Sequence, residues 1–219
     1  MRILKQILLA AVAYSLICSR GTADTNNVQP RAVSPKDSST FVHAFTKFSF
    51  PKSVGKFQRV KIQKYDHDGK DVGVGYDSSL PIAATIFAYP GAKDFALLPS
   101  PKLENVSELL LTHHFESCKQ DVFRAHTDAK LINESPYTLI QGDHRFDGKK
   151  AVFSMRYNFG FASQDSVSEL YVFLIEPSVK FLLTERYFMT YRITYPTNKK
   201  AEAEAEIATF MADLAWPTK

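Results

Sequence analysis

A histidine, a cysteine and an aspartate at helical spacing are the residues of this sequence that best match a metal site. His114 and Cys118 are four residues apart and would share one side of a helix, with Asp121 near the same face. His113 cannot join His114, because adjacent helical side chains point about 100° apart. The alternative places Cys118 in the core as a small apolar residue. No partner motif completes a ligand set, so we predict no metal ligand and no cofactor.

Three histidines could serve a hydrolase whose site is assembled from separate loops. His67, His113 and His144 are the candidates for a general base with a carboxylate or serine in reach. The sequence has no Gly-x-Ser-x-Gly elbow, and Cys118 lies mid-helix rather than at a helix N-terminus. Glycine patterns that bind phosphates or dinucleotides are missing. The sequence therefore favours a non-enzymatic protein, predicts no catalytic residue, and leaves a hydrolase as an alternative.

The run from Asp66 to Asp71 has two interpretations, a calcium loop and a hairpin turn. An EF-hand needs glycine at its sixth position and glutamate at its twelfth, whereas Gly69 is fourth and no glutamate follows. A turn at Asp68-Gly69, with the glycine at positive φ, requires neither. We predict the turn. The segment Asp147-Gly148-Lys149 is similar and is predicted as a second turn.

Tyrosines are unusually frequent towards the C-terminus and could line a cleft for an apolar or ring-shaped ligand. A sheet packed under helices uses aromatic residues in the same way, and the sequence favours that interpretation. The tyrosines concerned are Tyr157, Tyr171, Tyr187, Tyr191 and Tyr195.

The elements that must position these residues begin with a run of alternating residues from Ala151 to Phe161. Its odd positions are apolar, which is typical of a strand with one dry face. Strands are also predicted over 170–175 and 187–195, and short links between the three indicate an antiparallel meander. We expect the aromatic side chains of this meander to line one dry interior. Earlier strands are predicted near 45–50, 57–65, 72–76 and 82–89, and a later one over 137–141.

Two helices complete the pattern. The first is capped either by Ser100, with Pro101 in its first turn, or one turn later by Asn105 with Glu108, and it keeps an apolar stripe as far as Ala129. The second covers 200–214. In the strand at 57–65, Val60 and Ile62 are expected on the dry face. The order predicts an α+β fold, an antiparallel sheet of about seven or eight strands flanked by a long helix and a C-terminal helix.

The N-terminus predicts export. Residues 1–23 combine basic Arg2 and Lys5, an apolar stretch too short to span a bilayer, and small residues before a cleavage point after Ala23. Lipidation of Cys18 is disfavoured because bulky Ile17 precedes it. Residues 24–40 are predicted as a flexible leader and 41–219 as a single α+β domain. Cleavage would leave Cys118 as the only cysteine.

Charge excludes one class of partner. Removing Arg2, Lys5 and Arg20 leaves 24 basic against 23 acidic side chains. Such a balance is unlike the dense basic face of a nucleic-acid-binding protein, and we expect no nucleic acid partner and no membrane span after cleavage. Asn105 and Asn133 fit the N-glycosylation pattern, but the compact signal peptide favours a bacterial protein in which neither is used.

The order of elements resembles the α/β/α sandwich of the Mog1 and PsbP-like proteins. The resemblance rests on Phe48-Ser49-Phe50-Pro51, the strands on either side of Asp68-Gly69, the helix from about Leu103, the strand from Ala151, and the ending from Phe210 to Leu214. It implies a non-enzymatic accessory or binding role. We therefore expect an exported, periplasmic or secreted protein whose partner is another protein or a small apolar ligand; a metal or small-ligand carrier is a further alternative.

Overall fold

The computed structural model describes residues 31–33, 40–91, 106–160, 162–175 and 186–216. The predicted signal peptide, Cys18, Asn105 and Phe161 lie outside these residues. The described elements comprise eleven strands, two α-helices and one short 3-10 turn. They are β1 (Arg31–Val33), β2 (Phe41–Val42), β3 (Ser49–Phe50), β4 (Ser53–Val54), β5 (Phe57–Lys64), β6 (Val72–Ser78), β7 (Ala83–Pro90), α1 (Val106–Ala125), β8 (Lys130–Gln141), β9 (His144–Asn158), β10 (Ser163–Ile175), β11 (Tyr187–Pro196), the 3-10 turn (Thr197–Lys199) and α2 (Lys200–Asp213).

One large antiparallel sheet organises the described residues. Its strands follow the order β1-β5-β6-β7-β11-β10-β9-β8, with β4 also paired to β5, while β2 and β3 form a separate pair. The first meander, β5 to β7, meets the second, β8 to β11, where β7 pairs with β11. The predicted α+β class with an antiparallel sheet is confirmed.

A helix covers each face of this sheet. Alternate residues of a strand point to opposite faces, and along β10 the even residues Leu170 and Val172 pack under α1, whereas the odd residues Tyr171 and Phe173 pack on the side of α2. The α1 side holds Phe115, Cys118 and Val122 of the helix, and the α2 side holds Ile207, Phe210 and Met211. Three layers with two hydrophobic cores result.

The prediction of one dry interior for the C-terminal meander is wrong. Ala151, Phe153 and Met155 are buried as expected, but they face α1. Met189 and Tyr191 of β11 are buried on the other face, towards α2. Hydrophobic periodicity shows that a strand has a buried face; it carries no information on which side of the sheet that face lies.

The N-terminal boundary also needs correction. Arg31–Val33, inside the predicted leader, pairs with β5, so the fold begins before Phe41. An edge strand is held by backbone hydrogen bonds and does not need the apolar side chains on which the prediction relied. Residues 34–39 lie outside the described part of the chain.

Two predicted boundaries fail in the middle of the chain. Helix α1 ends at Ala125 rather than continuing to Ala129. The Asp128 carboxylate accepts a hydrogen bond of 2.7 Å from the backbone N–H of Arg156, which draws the chain to β9. The strand that follows begins at Lys130, seven residues earlier than predicted.

The second predicted turn is wrong as well. Asp147-Gly148-Lys149 lies inside β9, and the hairpin turns at Gly142 and Asp143, where Gly142 has φ of +58°. The first turn is confirmed, since Gly69 has φ of +72° between β5 and β6.

A bulge in β5 reverses the faces predicted for its first half. The register shifts between Arg59 and Lys61, and as a result Val60 is 44% exposed whereas Arg59 is buried and donates from its guanidinium to the backbone oxygen of Phe50. After the bulge Ile62 is buried on the α2 side, as predicted. Lys61 and Gln63 therefore face the α1 side.

No helix in the described ranges is both long enough and apolar enough to cross a membrane.

Candidate functional site

A groove opens on the α1 side of the sheet, over the strands that this helix does not cover. Helix α1 packs mainly against β9 and β10. The groove lies over β5, β6, β7 and β11, with one side chain from β9. We call it the sheet groove and define it by the lining residues that the argument uses: Lys61, Gln63, Gly73, Gly75, Asp77, Thr85, Phe87, Tyr157 and Arg192.

Two cations stand on opposite sides of a floor of small residues. Strand register places Lys61 opposite Gly75, and Gly75 opposite Thr85. Thr85 in turn is opposite Arg192. The two basic residues are thus three strands apart, about 14 Å between their Cα atoms at the usual strand spacing. With no side chain on Gly75, the space between the two cations stays open.

Aromatic rings close one end of the groove. A Cβ on Gly73 would lie 3.1 Å from the Tyr65 hydroxyl oxygen and 3.2 Å from Cε1 of Phe87, so the two rings crowd this glycine. Their centroids are 6.3 Å apart. A Cβ on Gly75 would meet only ordinary contacts at 3.5 Å, from Lys61 and Val60. The floor is therefore filled at Gly73 and open at Gly75.

A buried amide faces this floor. Gln63 is 6% exposed, and its Oε1 atom has no hydrogen-bond partner among the described residues. A buried amide oxygen without a partner loses the hydrogen bonds that it had with water and gains none in return. Since Gln63 lines the groove and is the direct register partner of Gly73, a ligand in the groove could supply the missing donor.

The groove alters the ionisation of the groups around it. Burial lowers the pKa of the Lys61 amine and raises the pKa of Asp77, a rim residue whose outer side is exposed. Burial, followed by the charge of Asp77, raises the pKa of Tyr157, and Arg192 opposes that shift. Next to Tyr157, burial and the Arg192 charge lower the pKa of His126 to about 4, so this imidazole is neutral at pH 7. The groove thus offers two cations, one carboxylate and several hydrogen-bonding groups.

The histidine and cysteine expected at helical spacing do meet, but without the aspartate. His114 Nε2 lies 3.3 Å from Cys118 Sγ and 2.5 Å from the Tyr89 hydroxyl, which also lies 2.9 Å from Thr190 Oγ1. Burial, helped by nearby His113, lowers the pKa of His114 to about 4.

Asp121 instead forms an ion pair with Arg124, and no group of three metal-binding side chains occurs within the described ranges. Cys118 is 1% exposed and packs against the sheet. Of the three residues considered for a metal site, the structure thus brings His114 and Cys118 together, whereas the Asp121 side chain turns towards Arg124 on its own helix.

The three histidines considered for a hydrolase lie on separate elements, and none is among the groove-lining residues. His67 is in the loop between β5 and β6, where its fully exposed ring lies 3.3 Å from an exposed Asp68 carboxylate. His113 is exposed on α1, and His144 is exposed at the start of β9. The structure does not bring these residues together.

The tyrosines do not line one cleft, the alternative that the sequence disfavoured. Tyr171, Tyr191 and Tyr195 are buried in the core on the α2 side, and Tyr187 is buried beside the His43 ring. Tyr157 lines the groove on the opposite face. The hydroxyls of Tyr171 and Tyr195 donate to buried Glu169 at 2.5 and 3.0 Å. The Tyr191 hydroxyl accepts from the Trp216 indole at 2.6 Å. These three hydroxyls have hydrogen-bond partners in the protein interior, whereas Tyr157 is a lining residue of the groove.

Apart from Tyr157, the sequence did not identify the residues of the sheet groove as a candidate site. The alternation that placed Val60 and Ile62 on the dry face of their strand left Lys61 and Gln63 on its wet face. The register of the β5–β6 hairpin places these two residues opposite Gly75 and Gly73, and the bulge in β5 hides that register from a simple alternation. Arg192 comes from a strand more than a hundred residues away.

The loop from Asp66 to Asp71 is held by its own carboxylate and by a buried histidine. Asp66 accepts backbone N–H groups from Lys70 and Asp71 at 3.1 and 3.2 Å. His43 Nε2 lies 3.0 Å from the carbonyl oxygen of Gly69 and 3.2 Å from that of Lys70. Burial, with the Asp66 charge, raises the pKa of Asp71 to about 7.

Asp71→Asn is expected to reduce the loss of folding stability that the native protein shows as the pH rises. An acid whose folded-state pKa of about 7 exceeds its ordinary value of 3.8 binds more protons when folded, so the free energy of unfolding falls between these pH values. The substitution should add about 2 kcal/mol at pH 8 and almost nothing at pH 4, after allowance for partial exposure. Urea denaturation across this range measures it, with exposed Asp68→Asn as the control. An offset that is constant with pH would contradict the prediction.

Comparison with known proteins does not assign this chain to a family. No protein-family model matches the sequence, and no curated protein matches it significantly. Among solved structures, the chain is similar to LpqN, described as involved in cell envelope biogenesis of Mycobacterium tuberculosis. The similarity has a TM-score of 0.40 and 10% sequence identity, over 88% of this chain and 93% of that one. A likeness at this level supports no statement about the function of this chain.

Proposed function

We propose that this chain is an exported, non-enzymatic binding protein that holds a small ligand in the sheet groove. The observation that carries the proposal is the buried Oε1 atom of Gln63, which lacks a hydrogen-bond partner among the described residues and lines an open groove. A folded protein gains by supplying a partner to a buried polar atom, and here the open side of the groove is where a partner can enter.

The sequence supports the other parts of the proposal. Residues 1–23 have the layout of a signal peptide, which favours export to the periplasm or the outside of the cell. The resemblance to the Mog1 and PsbP-like proteins implies a binding or accessory role without catalysis. Membership of that group is part of the proposal, and the helices on both faces of the sheet support it.

A fragment screen by NMR would test the proposal. In a library of small polar and aromatic compounds, the binders should shift the backbone amide signals of Gly73, Gly75, Thr85 and Arg192 more than those elsewhere in the protein. Gly75→Leu should abolish these shifts, because its side chain would occupy the open floor between the two cations. The nearest atoms to a Cβ at this position lie at 3.5 Å, so we expect the variant to fold.

The control is Gly142→Asn, in the β8–β9 turn. A Cβ at this position meets no atom within 4 Å, and asparagine tolerates the positive φ. This variant should bind the same fragments as the native protein. Signal shifts that cluster away from the groove, or that persist in Gly75→Leu, would reject the groove as the binding site.

A further inference from the structure

We infer that the ligand of the sheet groove is a small organic carboxylate that carries an N–H or O–H donor beside its carboxylate. This inference rests on the proposed function and names the chemical class of the ligand. It departs from the apolar ligand expected from the sequence, because the described groove contains charged and hydrogen-bonding groups that an apolar molecule would cover without pairing.

The carboxylate is assigned to the middle of the groove. Lys61 and Arg192 stand on either side of Gly75 and Thr85, and the Thr85 hydroxyl lies between them as a further donor. Lys61 forms no salt bridge with any described residue, and burial lowers its pKa, which means that its charge is poorly compensated within the protein. An anion between the two cations would compensate that charge with charge-assisted hydrogen bonds.

The donor is assigned to Gln63. This residue is two positions along β5 from Lys61, on the same face of the sheet and about 7 Å away. Its Oε1 atom can only accept a hydrogen bond, so a second acceptor would be repelled and an apolar group would leave the oxygen unpaired. A donor one or two bonds from the carboxylate would reach Gln63 while the carboxylate stays between the cations.

The shape of the groove limits the ligand. At the Gln63 end, Tyr65 and Phe87 crowd Gly73 and narrow the groove, so only a small group such as a single N–H or O–H fits there. At the other end Asp77 presents a carboxylate at the rim, which disfavours a second negative charge on the ligand. The arrangement therefore fits one carboxylate and one neighbouring donor better than a dianion.

Three closely related probes separate these features. N-acetylglycine has a carboxylate and an amide N–H, N-acetylglycine amide keeps the N–H but is neutral, and N-acetylsarcosine keeps the carboxylate but lacks the N–H. NMR titration of the labelled full chain should show N-acetylglycine binding about tenfold more tightly than either analogue, the usual worth of one hydrogen bond to a charged or buried group.

Variants assign each preference to a residue. Gln63→Leu should bind N-acetylglycine and N-acetylsarcosine equally, and should also raise the melting temperature of the ligand-free protein because an unpartnered buried oxygen is removed. Lys61→Met should weaken the binding of N-acetylglycine about fivefold and leave the affinity for the neutral N-acetylglycine amide unchanged. Lys130→Met, on exposed β8, is the charge-matched control and should bind like the native protein.

The outcomes are distinguishable from those of the fragment screen. Equal affinity for the three probes, or a preference for N-acetylglycine that survives Gln63→Leu, overturns the inferred ligand class. If neutral fragments bind at the groove and none of the carboxylates does, the ligand class is wrong and the binding function stands. If no fragment and no probe binds, both proposals fall.

Discussion

Gly148→Ala is expected to lower the free energy of unfolding by about 3 kcal/mol, at the upper end of the usual cost of overpacking a core. A Cβ at this position would lie 2.5 Å from Cδ1 of Phe173 and 2.5 Å from the backbone oxygen of Val172. The oxygen belongs to a central strand and cannot move alone. Phe173 is fully buried and its ring centroid is 5.0 Å from that of Trp216, so a displaced ring would disturb the α2 core.

The matched control is Gly75→Ala, also within a strand of the same sheet. Its new Cβ would meet its nearest neighbours at 3.5 Å, an ordinary contact. We expect the free energy of unfolding to change by less than about 1 kcal/mol, which is the range of strand propensities. Equal stability of the two variants in urea denaturation would contradict the prediction, because it would mean that the sheet accommodates a Cβ at Gly148 without losing stability.

Gln141→Leu is the second substitution with a large expected effect. The Gln141 side-chain NH2 group donates to the backbone oxygens of Met211 and Leu214 at 2.7 and 2.8 Å. Its side-chain oxygen accepts a hydrogen bond of 2.8 Å from the backbone N–H of Trp216. The side chain is 7% exposed, so its loss would leave three buried backbone groups without this partner at the end of α2. We expect a loss of about 3 kcal/mol in the free energy of unfolding.

Fluorescence gives a local readout of this variant. Trp216 is the only tryptophan in the chain, is 4% exposed, and packs against Phe48 and Phe146 with centroid distances of 5.7 and 4.4 Å. When its backbone hydrogen bond is lost, its emission should shift to longer wavelength before the sheet unfolds. Exposed Gln58→Leu is the control and should change neither emission nor stability by a measurable amount.

Gln141→Glu separates the hydrogen bonds from simple loss of volume. A carboxylate cannot donate to the two carbonyl oxygens, so this variant should be destabilised at pH 8 at least as strongly as the leucine variant. At pH 4 the protonated acid regains one donor, and part of the stability should return. If the two variants behave alike at both pH values, packing rather than hydrogen bonding holds the end of α2.

The sequence by itself determined which residues are buried in several strands. The alternation of apolar residues at Ala151, Phe153 and Met155 predicted that these side chains are buried, and their burial is confirmed. Burial of this kind follows from local periodicity, because a strand with one dry face must repeat every two residues. The α+β class follows from the same information together with the order of strands and helices.

The two Asp-Gly segments show that a local sequence pattern does not by itself predict a turn. The similar segments at Asp68-Gly69 and Asp147-Gly148 predicted two turns, and only the first is one. Gly69 provides a positive φ, whereas Gly148 provides room for the ring of Phe173 on the next strand. A sequence pattern describes the glycine in the same way in both cases, and the difference arises from a residue 25 positions away.

The groove was decided by the tertiary structure alone. Lys61, Gly75, Thr85 and Arg192 meet in one row because four strands pair in a particular register, and a bulge after Arg59 sets which face Lys61 occupies. The choice of face for each helix likewise separates the aromatic residues into two cores. Hydrophobic periodicity along a chain predicts whether a side chain is buried or exposed. Which residues surround that side chain depends on strand pairing between segments that are far apart in the sequence.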